Sequence, residues 1–195
     1  MPRNIEIKAR IASVEVMLPR VRAHADQGPF EIDQDDTFFD CTKGRLKLRA
    51  ASDQAGELIF YRRSDATEPK PSYFLRSPVP AVDALRGLLD AAYGTIGRVL
   101  KHRTLFMIGR TRVHLDRVAG LGDFLELEVM LGEGEAEASG TREAQELMQR
   151  LGVDSAACVA GAYVDLLNRL PADRSRESPP IRESPPIRES PPIRD

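Results

Sequence analysis

Four short stretches of the chain alternate apolar residues with charged or amide residues. They lie at residues 4–8, 45–49, 112–116 and 125–129. Side chains of a β-strand point to opposite faces in turn, so each predicted strand has one apolar and one ionisable face. The ionisable face carries cations in some strands and carboxylates in others. Such a face suits a polyanion with its divalent metal, because cations bind phosphate oxygens and carboxylates bind the ion.

The same periodicity predicts the remaining elements. The expected strands are 3–11, 35–40, 44–51, 57–63, 72–78, 98–108, 110–118 and 123–131. The expected helices are 13–26, 80–93, 141–151 and 155–170, the first and third capped by Ser13 and Thr141. Strands that follow one another through short Gly- or Asp-containing turns predict an antiparallel sheet or barrel with helices packed outside. If the sheet closes, the helices cover its apolar face and the charged face lines a wet channel.

Composition and charge restrict the function. A chain of 195 residues fits one domain plus a tail, and a formal net charge of −2 argues against general nucleic-acid binding. Neither a signal peptide nor an apolar run of membrane-spanning length is recognised, so we expect no membrane partner. Cys41 and Cys158 are predicted to be separate thiols in a reducing compartment, with the cytoplasm as the default location.

The C-terminal segment is a short repeat. Residues 176–193 are three copies of Arg-Glu-Ser-Pro-Pro-Ile. Two prolines in six residues exclude helices and sheet ladders, so residues 172–195 are predicted to be a disordered tail beside a folded domain at 1–171. The tail could bind a partner, carry phosphorylated Ser-Pro steps or be inert. We expect its deletion to leave stability unchanged.

Two groups of cations are candidates for phosphate binding. Arg45, Lys47 and Arg49 share one strand face, where like charges destabilise a sheet unless an anion approaches. Lys101 and Arg103 also share a face and resemble the second half of a phosphate clamp.

Other cations are more ambiguous. Arg62 and Arg63 point to opposite faces, so only one can enter a channel, and we favour Arg62. Lys70, Arg76 and Arg112 could each be a surface or rim cation.

Acidic residues form the candidate metal site. Glu126 and Glu128 share a face and repel each other unless a cation lies between them, although solvent screening would also explain the pair. Glu6 has the same pattern beside Lys8, and Asp116 precedes the pair on the neighbouring predicted strand. We interpret His114 as a structural histidine with satisfied hydrogen bonds.

Five segments in series resemble the CYTH, or triphosphate tunnel metalloenzyme, superfamily, most closely its class IV adenylyl cyclase branch. They are Ile5-Glu6-Ile7-Lys8, residues 45–49, Lys101-His102-Arg103, residues 115–128 and residues 162–167. The resemblance implies an α+β fold, in which a closed antiparallel eight-stranded barrel forms a tunnel and helices pack outside. One residue departs from the family signature, because Asn4 stands where the first glutamate is expected.

The resemblance also implies roles for residues. Triphosphate oxygens would be held by Lys8, Arg45, Lys47, Arg49, Arg62, Lys101 and Arg103. Mg²⁺ or Mn²⁺ would be held by Glu6, Glu126, Glu128 and Asp116. In catalysis Glu6 could position water, and Asp116 or a tunnel lysine such as Lys8 could assist a ribose hydroxyl.

Three functions stay open at this point. The protein could hydrolyse the terminal phosphoanhydride of tripolyphosphate, ATP or thiamine triphosphate, or it could cyclise ATP to cyclic AMP. It could instead be a non-catalytic module that binds polyphosphate or a nucleotide. No nucleic-acid partner is expected, and a homodimer is left open.

Overall fold

A closed antiparallel barrel forms the body of the protein in the computed structural model, which describes residues 3–51 and 56–170. The strands are β1 Arg3–Arg10, β2 Gln27–Phe39, β3 Arg45–Ala51, β4 Gly56–Arg63, β5 Lys70–Val79, β6 Thr95–Ile108, β7 Thr111–Val118 and β8 Gly122–Met130. The helices are α1 Val14–Arg22, α2 Val82–Tyr93, α3 Glu137–Leu151 and α4 Tyr163–Asn168, and a 3₁₀ turn lies at Ser155–Ala157.

The strand order around the barrel is β1-β5-β4-β3-β2-β6-β7-β8, and β8 pairs with β1 to close it. Every neighbouring pair is antiparallel. The predicted fold class, an eight-stranded tunnel with helices outside, is confirmed.

The main hydrophobic core lies outside the barrel, between the sheet and two helices. Ile5 and Leu127 on the outer face of the sheet pack in one buried cluster with Met17 of α1 and with Leu147 and Leu151 of α3. A helix buries an apolar stripe, so the apolar face of each strand must turn outward to meet it. The alternate, charged face is therefore left to line the inside.

Two predicted helices are shorter than expected. Ser13 caps α1 as predicted, accepting a hydrogen bond from the Val16 amide at 3.3 Å, but α1 ends at Arg22 rather than at residue 26. The chain enters β2 at Gln27, and the first half of β2 pairs with the C-terminal half of β6. The sequence pattern does not predict a strand at residues 27–34, because these residues are mostly polar and largely exposed.

The predicted helix over 155–170 is interrupted in its middle. After the 3₁₀ turn, Cys158 forms a β-bridge with Ala9, and the Val159 amide donates to the Lys8 carbonyl at 2.9 Å. The helix resumes only at Tyr163, directly after Ala162, which lines the cavity of the barrel.

Both cysteines are free thiols, as predicted. Among the helices described, none combines the length and apolar character needed to cross a bilayer. The predicted tail at 172–195 lies outside the described residues, so the domain boundary stays a prediction.

Candidate functional site

The barrel encloses a cavity of about 360 Å³, and 12 of its 25 lining residues are charged. Eight of the lining residues are cations, namely Lys8, Lys47, Arg49, Arg63, Arg76, Lys101, Arg103 and Arg112. Four are carboxylates, namely Glu6, Asp36, Glu126 and Glu128. The lining therefore carries a formal excess of four positive charges. Buried charge of one sign is costly unless a counter-charge is bound, so the cavity suits a compact polyanion.

Asp36 is the counter-ion of the first group of cations. Its carboxylate accepts hydrogen bonds from Lys47 at 2.9 Å, from Arg49 at 2.7 and 2.9 Å, and from Lys101 at 3.0 Å. Strands β2, β3 and β6 supply these four residues, which meet because β2 pairs with both of the other strands. The sequence analysis missed Asp36, although its alternation with Gln34 and Phe38 assigns it to one face of β2.

Burial and repulsion from neighbouring cations lower the pKa values of the two lysines in this group. Burial, followed by the charge of Arg49, lowers the pKa of Lys47 to about 7. Burial also lowers the pKa of Lys101, although Asp36 opposes that effect. Burial alone would raise the pKa of Asp36, but the cations Lys101, Lys47 and Arg49 outweigh it and hold the pKa well below 3.8.

We expect Asp36→Asn to destabilise the empty protein, because three cations then face one another without a counter-ion. Loss of one partner of a buried ion pair costs about 3–5 kcal/mol, and deprotonation of Lys47 offsets part of it, so the melting temperature should fall by about 5–10 °C. Because its pKa is lowered in the folded state, Asp36 stabilises the fold at every pH above the ordinary pKa of an aspartate. This contribution is lost as the pH falls through the folded-state pKa. Thermal melts at pH 7 measure the difference.

The matched control for this change is Asp35→Asn. Asp35 is the neighbouring residue on β2 and points the other way, where it pairs with the half-exposed Arg98 at 2.7 Å. A surface pair contributes only about 0–1 kcal/mol, so this variant should melt within about 3 °C of the wild type. Equal melting temperatures for the two variants would contradict the role given to Asp36.

A second ionic group joins β1, β6, β7 and β8. Arg103 donates to Glu126 at 2.8 Å and makes two bonds of 2.6 Å to Asp116. Lys8 lies 3.8 Å from Glu126. Burial would raise the pKa of Glu126, but Lys8, His114 and Arg103 together hold it well below its ordinary value. The carboxylate is therefore ionised at neutral pH.

Asp116 is placed behind the cavity rather than in it. It is fully buried and does not line the cavity, and its oxygens accept from Arg103 and from the Tyr163 hydroxyl at 2.9 Å. Asp116 connects to Glu126 through Arg103, which contacts both carboxylates, and it lies outside the group of side chains that could hold a metal. The geometry suits Asp116 to orienting Arg103.

The preference for Arg62 over Arg63 is wrong. Arg63 lines the cavity and pairs with Glu6, whereas Arg62 is exposed on the outer face. The register explains this, because Tyr61 lies opposite Arg45 and residues 61 and 63 therefore share the inward face.

Arg45 shares the parity of Lys47 but does not line the cavity. Its guanidinium bonds Asp165 of α4 at 2.6 Å and Asp65 at 2.9 Å. Arg76 and Arg112, the ambiguous cations, both line the cavity. Lys70 is buried and donates to the Ala66 carbonyl at 2.8 Å.

Residues 161–163 contact cationic side chains that line the cavity. The Gly161 carbonyl accepts from Lys8 at 3.2 Å and from Arg63 at 3.0 Å, and the Tyr163 ring lies 4.0 Å from the Lys8 amino group. A φ of 82° at Gly161 favours glycine there. At Gly97 any Cβ would meet Val164 at 2.6 Å, so only glycine lets α4 lie so close to β6.

One group of side chains could hold a metal ion in the described part of the chain. His114, Glu126 and Glu128 offer ligand atoms that all lie within 4.8 Å of one another. The His114 Nδ1 is buried without a hydrogen-bond partner, so the prediction of a satisfied structural histidine is wrong. Glu6 and Asp116 are outside this group, although Glu6 lies opposite Glu128 in the strand register.

Comparison with known proteins agrees with the tunnel geometry. Adenylate cyclase CyaB of Aeromonas hydrophila is 23% identical over 167 residues, which cover 82% of this chain and 86% of that protein. A Pyrococcus horikoshii OT3 protein of known structure superposes with a TM-score of 0.76 at 21% identity, covering 85% of this chain and 99% of that one.

A third structure is that of an adenylyl cyclase candidate from Hippeastrum, described as revealing a dominant triphosphatase activity. It superposes with a TM-score of 0.60 at 14% identity, covering 86% of this chain and 95% of that one. These likenesses show the fold. The family model of the CYTH domain matches residues 2–163, most of the sequence, and the chain therefore belongs to the CYTH domain family.

Proposed function

We propose that this protein is a metal-dependent triphosphatase that hydrolyses the terminal phosphoanhydride of a triphosphate bound in the barrel. One observation carries the proposal: a single cavity holds eight cationic side chains together with the metal-capable group of His114, Glu126 and Glu128. Membership of the CYTH family supports triphosphate chemistry with a divalent metal.

The cations that would bind the triphosphate form two groups around the cavity. Lys47, Arg49 and Lys101 surround one point of the cavity, where Asp36 offsets part of their charge. Arg63 and Arg103 lie on the side of the carboxylates. Guanidinium groups bind phosphate oxygens in pairs and lysines act as point charges, so an extended chain of phosphates can contact both groups at once.

The residues present fit a divalent ion. Glu126 and Glu128 supply the oxygen ligands that Mg²⁺ and Mn²⁺ accept, and an unpartnered buried nitrogen lies beside them. When bound, the ion would neutralise charge on the phosphoryl oxygens and activate water. Glu6 remains a proposed ligand or water-positioning group, because it lines the cavity and lies opposite Glu128.

Hydrolysis is favoured over cyclisation by the placement of Asp116. Cyclisation needs a base beside the ribose hydroxyl, whereas hydrolysis needs one beside the attacking water, whose proton must also be taken up. Asp116 lies outside the cavity and accepts from both Arg103 and Tyr163, so it is poorly placed to act as that base. Glu6 does line the cavity, and phosphate binding to Arg63 would release it to orient water.

Cyclisation of ATP is the second candidate. The similarity to adenylate cyclase CyaB of Aeromonas hydrophila favours it. Burial also lowers the pKa of Lys8, which makes this tunnel lysine a better proton acceptor than an exposed one.

One set of incubations separates the candidates. Tripolyphosphate, ATP and thiamine triphosphate are each incubated with Mg²⁺ or Mn²⁺, and orthophosphate, pyrophosphate and cyclic AMP are measured. We expect orthophosphate without cyclic AMP. Cyclic AMP formed in equal amount to pyrophosphate would support the second candidate, and no product from any substrate would support a non-catalytic binding module.

A further inference from the structure

We infer that the metal site of the proposed function includes the imidazole of His114 and so selects first-row transition ions such as Mn²⁺ over Mg²⁺. The inference rests on the proposed function for the presence of a metal. It adds a nitrogen ligand and a metal preference.

The first support is the unpartnered nitrogen. His114 is 3% exposed, and its Nδ1 has no hydrogen-bond partner although it lies among charged groups. Buried polar atoms are nearly always partnered, so an orphan at a candidate site indicates a missing ligand. The flanking residues Val113 and Leu115 are completely buried in the outer core. Strand β7 therefore fixes the histidine on the inner face.

The second support is distance. The Nδ1 lies 3.7 Å from a carboxylate oxygen of Glu126 and 3.8 Å from one of Glu128. Two ligands of one ion can be no further apart than twice the metal–ligand bond, about 4.2 Å for a bond of 2.1 Å. Both separations from the nitrogen fall inside that limit, and all three ligand atoms lie within 4.8 Å of one another. One ion can therefore join the nitrogen to both carboxylates after a small shift of the glutamates, with the Glu126 oxygen shared with Arg103.

The third support is that the two carboxylate oxygens of Glu128 have different neighbours. Its Oε2 lies 3.4 Å from Arg112, while Oε1 is the oxygen close to His114. The glutamate can therefore keep its arginine and still offer an oxygen on the histidine side.

The ligand set decides the preference. Mg²⁺ takes hard oxygen ligands and keeps several waters, so an imidazole gives it little. Imidazole binds first-row transition ions better, and a nitrogen with two carboxylates is a common site for them. The nitrogen should therefore raise the affinity for Mn²⁺ while leaving that for Mg²⁺ nearly unchanged.

The test is pulsed electron paramagnetic resonance of bound Mn²⁺, in which a coordinated imidazole gives nitrogen modulations. The chain has three histidines, so tag-free His24→Gln/His102→Gln keeps only His114. Both replaced histidines are exposed, and His102 pairs with Glu31 and Asp33, which makes it the alternative surface site. We expect the modulations to persist in this double variant and to vanish in His114→Gln.

Calorimetry with each ion supplies the second readout. His114→Gln should weaken Mn²⁺ binding by at least about tenfold and Mg²⁺ binding by less than about threefold. Modulations that disappear in the double variant, or Mn²⁺ bound without any in the wild type, would overturn the inference alone. Failure of the wild type to bind either ion, with or without tripolyphosphate, would overturn the metal dependence of the proposed function as well.

Discussion

Glu128→Gln is expected to lower turnover by about 100- to 1000-fold while the protein stays folded. Glu128 lines the cavity, and its nearest cationic atom belongs to Arg112 at 3.4 Å, so amide replacement breaks no short buried ion pair. The same change removes one of the two carboxylates beside His114, so Mn²⁺ affinity should fall by at least about tenfold. Phosphate release and metal calorimetry are the two measurements.

The control for this prediction is Glu15→Gln. Glu15 lies on α1, largely exposed, where it pairs with Arg117 outside the barrel. Turnover and metal affinity should equal those of the wild type. Full activity in Glu128→Gln, with an unchanged melting temperature in both variants, would exclude Glu128 from the catalytic site.

Tripolyphosphate is expected to raise the melting temperature by about 5–10 °C at a hundredfold excess over its dissociation constant, because binding to the folded state alone contributes about 2.7 kcal/mol. Arg63→Ala should reduce this shift markedly, because a hydrogen bond to a charged group contributes about 1.5–3 kcal/mol, or roughly 10- to 100-fold in affinity. Arg62→Ala should leave the shift unchanged, since that side chain is exposed outside the barrel.

The two arginines are adjacent in sequence and opposite in direction, which makes them matched variants. Each shift is the difference between the melting temperatures of one variant with and without tripolyphosphate. The destabilisation caused by leaving Glu6 without Arg63 is present in both measurements and cancels. Sulfate at equal ionic strength controls for general screening. Equal shifts in Arg62→Ala and Arg63→Ala, or a shift no larger than that from sulfate, would contradict triphosphate binding inside the barrel.

Most of the barrel follows from local patterns. The alternation in β1, β3, β7 and β8 has a period of two, which is a property of the extended backbone and needs no tertiary information. The caps of the helices were predicted only in part: Ser13 caps α1 as expected, but Thr141 lies inside α3, which begins at Glu137. The polar strand at 27–34 was not predicted, because it buries little surface and is held mainly by its pairing with β6.

The candidate site was predictable only in part. Alternation selected Arg45, which does not line the cavity, and eight residues that do; the eight are Glu6, Lys8, Lys47, Arg49, Lys101, Arg103, Glu126 and Glu128. It could not decide between Arg62 and Arg63, because each arginine fits one face and strand pairing alone determines which face is inside.

The sequence by itself determined which residues could share a face, and so that the charged face would line the inside if the sheet closed. Only the tertiary structure decided which charges meet. Asp36 pairs with cations of β3 and β6, Asp116 lies behind Arg103, and His114 lies beside two glutamates. These partners are far apart along the chain, and their energies depend on burial and distance, which a strand pattern does not contain.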